Sequence, residues 1–400
     1  MKVLHVNSAE TGSTGKIIAD ISRNLHARGD EAVLCAPKIT SPNCEYLKKY
    51  AVSLPLEQGL YRRISYLTGI SYGFAPLSTA KVIRAIKKEC PDIVHLHSVN
   101  GCVVNVHKLL AFLKKHRIPT VVTNHAEFLY TGNCSYSHNC EKWKNGCGKC
   151  PSLKTATGSL FFDRTHTAWT RMKNAFDGFE KLSVVNVSPW LTERAKQSPL
   201  VNAYENYTIL NGINTDVFHY KPSTPSDEKI IFHVTSAFSD TPGHIKGGEY
   251  IFELARRFAK ENVKFVAAGP YNVKGEIPAN VTLLGKLSNQ HELADWYRKA
   301  NLTVLTSKRE TFGMAVAESL ACGTPVAGFC SGGSESITID DFSEFVPFGD
   351  TDTLEKQIRE KWLDFKTQEN AAEISTAAIN KYADARMARE YFEIYQKLLK

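Results

Sequence analysis

Apolar residues come in two rhythms along this chain. Short runs of strand length alternate with stretches where apolar residues return every three or four positions, as on one face of a helix. Lys2 to Asn7 opens with such a run, and Lys16 to Arg28 follows as a helix with Ile17, Ile18, Ile21 and Leu25 on one side. Gly29 stops that helix and Glu31 to Cys35 starts a second strand. Further strands are predicted at Pro91–His97, Pro119–Thr123 and Leu182–Val187, and helical stretches at Leu54–Leu67 and Phe161–Phe179. Ser188 followed by Pro189 reads as an N-cap and first helical residue. A second series follows, with strands at Ile230–Val234, Val263–Gly269, Val281–Gly285 and Leu302–Leu305 and helices at Glu292–Ala300 and Met314–Cys322. The last of these stops at Gly323, and the chain turns at Pro325 into another apolar run. Strand, loop, helix, glycine stop and strand is the grammar of βαβ units and parallel sheets.

The chain has 400 residues, which is long for one hydrophobic core and predicts two domains. Residues 206–228 are rich in Asn, Pro, Ser and Asp without periodicity and read as the linker, leaving domains at 1–205 and 229–385 and a last helix at 386–400. No apolar run approaches the roughly 18–20 residues that cross a bilayer. The N-terminal run lacks the long apolar region of a secretory signal, so a cytoplasmic location with ten reduced cysteines is expected. The charge is uneven. Residues 1–205 hold 27 Lys+Arg against 15 Asp+Glu, or +12, and the remainder carries −4 of the net +8. A basic first half suits an anionic partner such as a phospholipid surface or a diphosphate-linked substrate. Tyr61, Tyr66, Tyr72 and Phe74 mixed with Arg62 and Arg63 suit a membrane interface; a core helix with an exposed Arg pair explains them equally.

Candidate chemistry concentrates at a few loops. Glu310 ends the turn before the Met314 helix, and Glu318 lies eight positions later inside it. Backbone N–H groups of Phe312, Gly313 and Met314 at a helix start attract anions. Together these suggest phosphate donors flanked by carboxylates able to accept from sugar hydroxyls. Lys246, before two glycines and a helix, is placed to meet a diphosphate as a point charge. In the first half, the Ser8–Gly15 loop carries Gly12 and Gly15 but matches no dinucleotide or P-loop pattern. His95 and His97 share one strand face, which reads as a packed face rather than a metal site because further ligands are not evident nearby. His125 follows a strand end, where ligands of parallel sheets bind. Asp350-Thr351-Asp352 reads as a helix N-cap.

Cys134, Cys140, Cys147 and Cys150 are spaced C-x5-C-x6-C-x2-C, with Gly146 and Gly148 around the third. Four thiols in a reducing compartment, two of them in a C-x2-C knuckle, predict a structural zinc site with all positions filled by protein. His138 is an alternative ligand, and two disulfides or an iron–sulfur cluster are the competing readings. The region lacks a basic recognition helix, so nucleic acid is not expected as a partner.

The combination resembles the GT-B glycosyltransferases, specifically the retaining enzymes of family 4. The residues that carry it are Gly12 and Gly15, Pro91–His97, His125, Asn211-Gly212-Ile213-Asn214, Lys246-Gly247, and Glu310 to Pro325 with its E-x7-E spacing. The resemblance covers nearly the whole chain. It implies an α/β fold of two Rossmann-like doubly wound domains facing across a cleft, the last helix crossing back to the first domain. It implies transfer of a hexose from a nucleotide-diphosphate sugar to a saccharide acceptor; the basic first half points to a polyprenyl-diphosphate-linked acceptor met at the inner face of the plasma membrane. The cysteine insert at 133–151 resembles one in a subset linked to bacterial surface polysaccharides. Glu310, His125 and Lys246 would then be catalytic. Gly15, Lys246, Gly285, Glu310, Phe312, Gly313, Met314 and Glu318 would bind the donor, and no catalytic metal is expected. The family's Arg about five residues before the lysine is Thr241 here, with His244 the nearest substitute. A sugar-nucleotide epimerase or phosphorylase on the same fold is the alternative.

Overall fold

A computed structural model describes residues 1–54, 56–70, 72–222 and 228–400. The chain divides into two compact units. One comprises Met1–Gly212 with Ala385–Lys400, and the other Ile213–Asp384.

The first unit holds a seven-stranded parallel sheet. Its strands are β1 (Lys2–Val6), β2 (Glu31–Ala36), β3 (Lys48–Ala51), β4 (Ile93–Leu96), β5 (Thr120–Asn124), β6 (Leu182–Asn186) and β7 (Asn206–Thr208). They lie in the order β3-β2-β1-β4-β5-β6-β7, so the direction of winding reverses between β1 and β4. The helices are α1 (Ser13–Ala27), α2 (Glu57–Thr68), α3 (Pro76–Glu89), α4 (Val106–Lys115), α5 (Phe128–Thr131), α6 (Thr165–Phe176) and α7 (Pro189–Lys196). The sheet is buried along β1, β4, β5 and β6, where Val, Ile and Leu dominate, as a parallel sheet covered on both faces requires.

The second unit has β8 (Lys229–Val234), a short pair β9 (Phe238–Ser239) and β11 (Tyr271–Asn272), β10 (Val263–Ala268), β12 (Val281–Gly285), β13 (Leu302–Leu305), β14 (Val326–Phe329) and β15 (Ser343–Val346). Its main sheet runs β12-β10-β8-β13-β14-β15, again with a reversal, between β8 and β13. Helices α8 (Gly248–Arg257), α9 (Gln290–Lys299), α10 (Met314–Ala321), α11 (Gly333–Ser336), α12 (Thr351–Gln357) and α13 (Gln368–Tyr382) complete it. The core packs Phe252 and Leu254 of α8, Phe258 just after it and Trp362 against Phe265, Val304 and Phe329 of the sheet.

The last helix, α14 (Asp384–Leu399), places Met387, Tyr391, Ile394 and Tyr395 in the core of the first unit beside Val3, Ile93 and Val121. Spacings of four, three and one along the helix put these residues on one face.

Several boundaries differ from those the sequence suggests. The unit boundary falls at Gly212, because Asn206–Thr208 pair with β6 as an edge strand, where polar residues are tolerated. Residues 223–227 of the expected linker lie outside the described residues. Helix α1 begins at Ser13, which takes Gly15 out of the loop and into the first turn. The stretch from Phe161 is helical only from Thr165, where Asp163 Oδ1 accepts from the Thr165 N–H. Helix α2 is not a core helix: its buried residues are Glu57 and Ser65, while Leu60 and Leu67 face solvent. Among the described residues no helix is long and apolar enough to cross a membrane. Asp350 caps α12, its Oδ1 accepting from Thr353 N–H at 3.1 Å.

Candidate active site

In the second unit, the loops that leave β8 and β13 flank the reversal of strand order, which is where open α/β sheets bind ligands. They are sewn together by hydrogen bonds. Lys308 N–H donates to Ile245 at 2.8 Å, and Thr306 Oγ1 donates to the Gly247 carbonyl at 2.9 Å. Gly247 has φ 64°, and a Cβ there would lie 2.1 Å from the Thr306 oxygen, so only glycine permits this approach. The stitching brings Lys246 Nζ to 2.6 Å from Glu310 Oε1, both side chains about one-fifth exposed. Glu310 is held in turn by its backbone, which pairs with Ser331 and Gly333.

Gly313 is the N-cap of α10, with φ 84° and the Ser334 hydroxyl where a Cβ would go. Phe312 is buried, so its N–H rather than its ring is what it offers a ligand, and Met314 begins the helix half-exposed. Glu318 is buried on α10 and its Oε2 accepts from Tyr297 OH at 3.1 Å. Burial pushes the Tyr297 phenol well above its ordinary value, so it remains a donor. Gly285 ends the edge strand β12, with β10 between it and β8, so the fold does not bring it to the reversal point. Thr241, five residues before Lys246, bonds to Ser239 through its N–H, and His244 Nδ1 faces the Lys246 N–H at 3.4 Å.

The first unit has its own polar seam at its reversal point. Register pairs His5 of β1 with His95 of β4. His5 Nδ1 and His97 Nε2 are 3.0 Å apart, and His97 Nδ1 and His125 Nε2 are 3.1 Å apart. His95 is engaged at both nitrogens at 2.7 Å, by Thr123 Oγ1 and by Tyr395 OH of α14. Nitrogens of His5, His95 and His97 lie within 4.8 Å of one another. Hydroxyls occupy both His95 nitrogens, so the group is a hydrogen-bonded stack. Burial lowers His5 and His125 to about 3, and His95 and His97 well below the usual value, so all four are neutral at physiological pH. His5 was passed over in the sequence; its place in an apolar run, on the face that meets His95, was the signal.

Gly15 sits in the first turn of α1 with the Glu10 carbonyl where a Cβ would go, so its smallness serves the strand-to-helix turn itself. Beyond His125 the chain turns through a buried ion pair that the sequence did not reveal. Glu127, fully buried, accepts from Arg194 Nε at 2.9 Å, Tyr130 OH at 2.6 Å and Ser137 Oγ at 2.9 Å.

Two parallel sheets, each reversing its strand order beside a pair of polar loops, are the architecture of a GT-B glycosyltransferase. The model of Glycosyltransferase Family 4 matches residues 14–217, just over half of the chain, and that of Glycosyl transferases group 1 matches 216–378. The chain belongs to Glycosyltransferase Family 4. It is 22% identical over 333 residues to the putative colanic acid biosynthesis glycosyl transferase WcaC of Escherichia coli K12, covering 77% of each protein. With D-inositol 3-phosphate glycosyltransferase of Streptosporangium roseum it shares 54% identity over 54 residues, 14% of this chain and only 12% of that protein. Among solved structures, sucrose-phosphate synthase from Thermosynechococcus elongatus superposes with a TM-score of 0.69 at 16% identity, over 100% of this chain and 99% of the other. Anabaena HepE in complex with UDP-glucose does so with a TM-score of 0.63 at 16% identity, over 99% and 100%.

Proposed function

We propose that this protein transfers a hexose, with retention at the anomeric carbon, from a nucleotide-diphosphate sugar to a polyprenyl-diphosphate-linked saccharide in surface-polysaccharide synthesis. The observation that carries the reading is the Lys246–Glu310 pair at 2.6 Å, poised at the strand-order reversal beside the first amides of α10. In this reading a bound diphosphate takes Lys246 as its counter-ion, and the N–H groups of Phe312, Gly313 and Met314 complete an anion site. Glu310, released from Lys246, faces the transferred sugar. Glu318, with Oε2 held by Tyr297, accepts from the ribose hydroxyls. Neutral His125, steadied by His97 at the first unit's own strand-order reversal, acts in this reading as a hydrogen-bonding group rather than as a charge. The UDP-glucose complex of the Anabaena structure and the colanic acid role of the E. coli relative support the donor class and the pathway class.

A surface patch supports the lipid-linked acceptor. At the start of helix α2 Leu56 is 89% exposed, within it Leu60 and Leu67 are 56% and 53% exposed, and Phe161 and Phe162 nearby are 69% and 54% exposed. The two segments are joined, Leu160 N–H donating to the Tyr66 carbonyl at 2.9 Å. Arg62, Arg63 and Arg164 are exposed among them. Apolar side chains ringed by arginines fit the headgroup region of an anionic bilayer.

Lys246→Ala or Glu310→Gln is expected to reduce transfer by about 100-fold or more, on the scale of a lost charge-stabilising group, with the melting temperature little changed. Full activity in either variant rejects the site. A melting-temperature panel of nucleotide sugars identifies the donor, since a ligand of the native state raises stability. NMR of the product checks retention, and an inverted anomer rejects it. Wild-type protein is expected to sediment with vesicles of anionic lipid, and Leu60→Ser with Phe161→Ser to release it. Failure of the wild type to bind such vesicles rejects the membrane contact.

A further inference from the structure

The segment from Gly132 to Pro151 is held with almost no regular structure. Its one element is a 3-10 turn at Lys142–Asn145. Its apolar content is also small: Trp143 is the large side chain it buries, against Tyr130 with ring centroids 5.3 Å apart. Yet its backbone takes up conformations that side chains resist. Cys147 and Lys149 have φ of 56° and 47°, so Gly146, Cys147, Gly148 and Lys149 form four successive left-handed residues around the C-x2-C pair. His138 adds another at φ 48°. Such backbone persists only where something else fixes the chain.

What lies inside that turn is a small cavity of about 30 Å³ lined by Cys134, Cys140, Cys147 and Cys150, with Asn133 and Trp143 also on its wall. The volume admits a metal ion, around which the four sulfurs would draw together. All four cysteines are free of disulfides, and each is half-buried. His138 is not on the wall. From this placement we infer that the cavity is a four-thiolate structural zinc site, with Cys134, Cys140, Cys147 and Cys150 as the ligand set and His138 excluded from it. On binding, each ligating thiol gives its proton to solvent and the sulfur lone pair goes to the metal; no electron is transferred.

The site's consequence runs through the backbone to the end of β5. Thr131 Oγ1 donates to the Cys134 carbonyl at 3.0 Å, and Glu127 N–H donates to Ser135 at 3.0 Å. Ser137, between the first two cysteines, supplies its hydroxyl to the buried Glu127 and receives Arg194 Nη2 at 2.6 Å. A metal that fixes this segment therefore also fixes the Glu127–Arg194 pair two residues beyond His125.

Purified, reduced protein is expected to carry one zinc per chain by elemental analysis. An organomercurial that titrates thiols should release that zinc in step with the modification of four cysteines. Cobalt substituted for zinc should show the intense sulfur-to-metal charge-transfer and ligand-field bands of a tetrahedral thiolate site. His138→Ala should retain the metal and Cys147→Ser should lose it, while Cys102→Ser, outside the cluster, retains it. Because Cys147→Ser can misfold, the mercurial and cobalt measurements on the wild type decide independently. Metal well below one per chain, disulfides within the insert by mass spectrometry, iron–sulfur absorbance, or loss of metal in His138→Ala would each overturn the assignment.

Discussion

The histidines of the first unit show how burial and hydrogen bonding divide the roles of one residue type. His95 is pinned by two hydroxyls and belongs to the core, whereas His97 links His5 to His125. Because a neutral imidazole has one donor and one acceptor, the protonation of one ring in this chain dictates that of the next. The cost of keeping them neutral appears as acid sensitivity. In the unfolded chain His5 and His125 take up protons near 6.5, but in the native protein only near 3. Between those values the unfolded state binds more protons, so stability rises with pH and is lost progressively as pH falls below about 6.5. Each such histidine adds up to about 1.4 kcal/mol per pH unit to the slope. Unfolding midpoints in urea between pH 7 and 4, compared with His125→Asn, check this. The variant should show the shallower slope, and equal slopes would show that His125 is not buried neutral.

At the scale of elements, α2 is the instructive case. Its inward side is polar: Glu57 accepts from the N–H of Leu54 and from the N–H and hydroxyl of Ser78. Glu57→Ala strands those donors and should cost about 1–3 kcal/mol. Leu60→Ser, on the exposed side, should change stability by less than about 0.5 kcal/mol. Thermal or urea unfolding of the two variants tests the inversion, and a larger loss for Leu60→Ser would contradict it. This helix also shows where the sequence stops being legible. Leu, Ile and Tyr at helical spacing signal that a helix exists but not which side faces inward, since that depends on whether Ser78 of α3 is there to meet Glu57. The strands were legible wherever both faces are buried, as at β1, β4 and β13, because burial on both faces writes a run that is mostly apolar, broken only by single residues such as His5, His95 and Thr303. The edge strands β3, with its Lys48-Lys49, and β7 carry no such mark. For the candidate site, Lys246 and Glu310 stood out from their loops and helix starts. Their ion pair, and the Glu127–Arg194 pair with its 67-residue separation, depend on strand order and could not be read in one dimension.

At the scale of the whole molecule, the units differ in how the chain builds them. The second is one continuous stretch, Ile213–Asp384, while the first needs Ala385–Lys400 as well as Met1–Gly212. Without α14 the first unit loses Met387, Tyr391, Ile394 and Tyr395 from its core, and His95 loses a hydroxyl partner. Removing residues 385–400 should therefore expose apolar surface in the first unit and leave the second intact. Dye binding and hydrogen exchange resolved by unit would measure this, and native-like protection throughout 1–212 would refute it.

The order of synthesis gives that helix a temporal meaning. Residues 1–212 leave the ribosome first but wait, with the α14-facing side of their sheet uncovered, while the next 172 residues are made. The unit begun first is the one finished last. Residues 1–212 therefore spend longer with apolar surface on view than the second unit does, and holdase chaperones are expected to engage them there until α14 arrives.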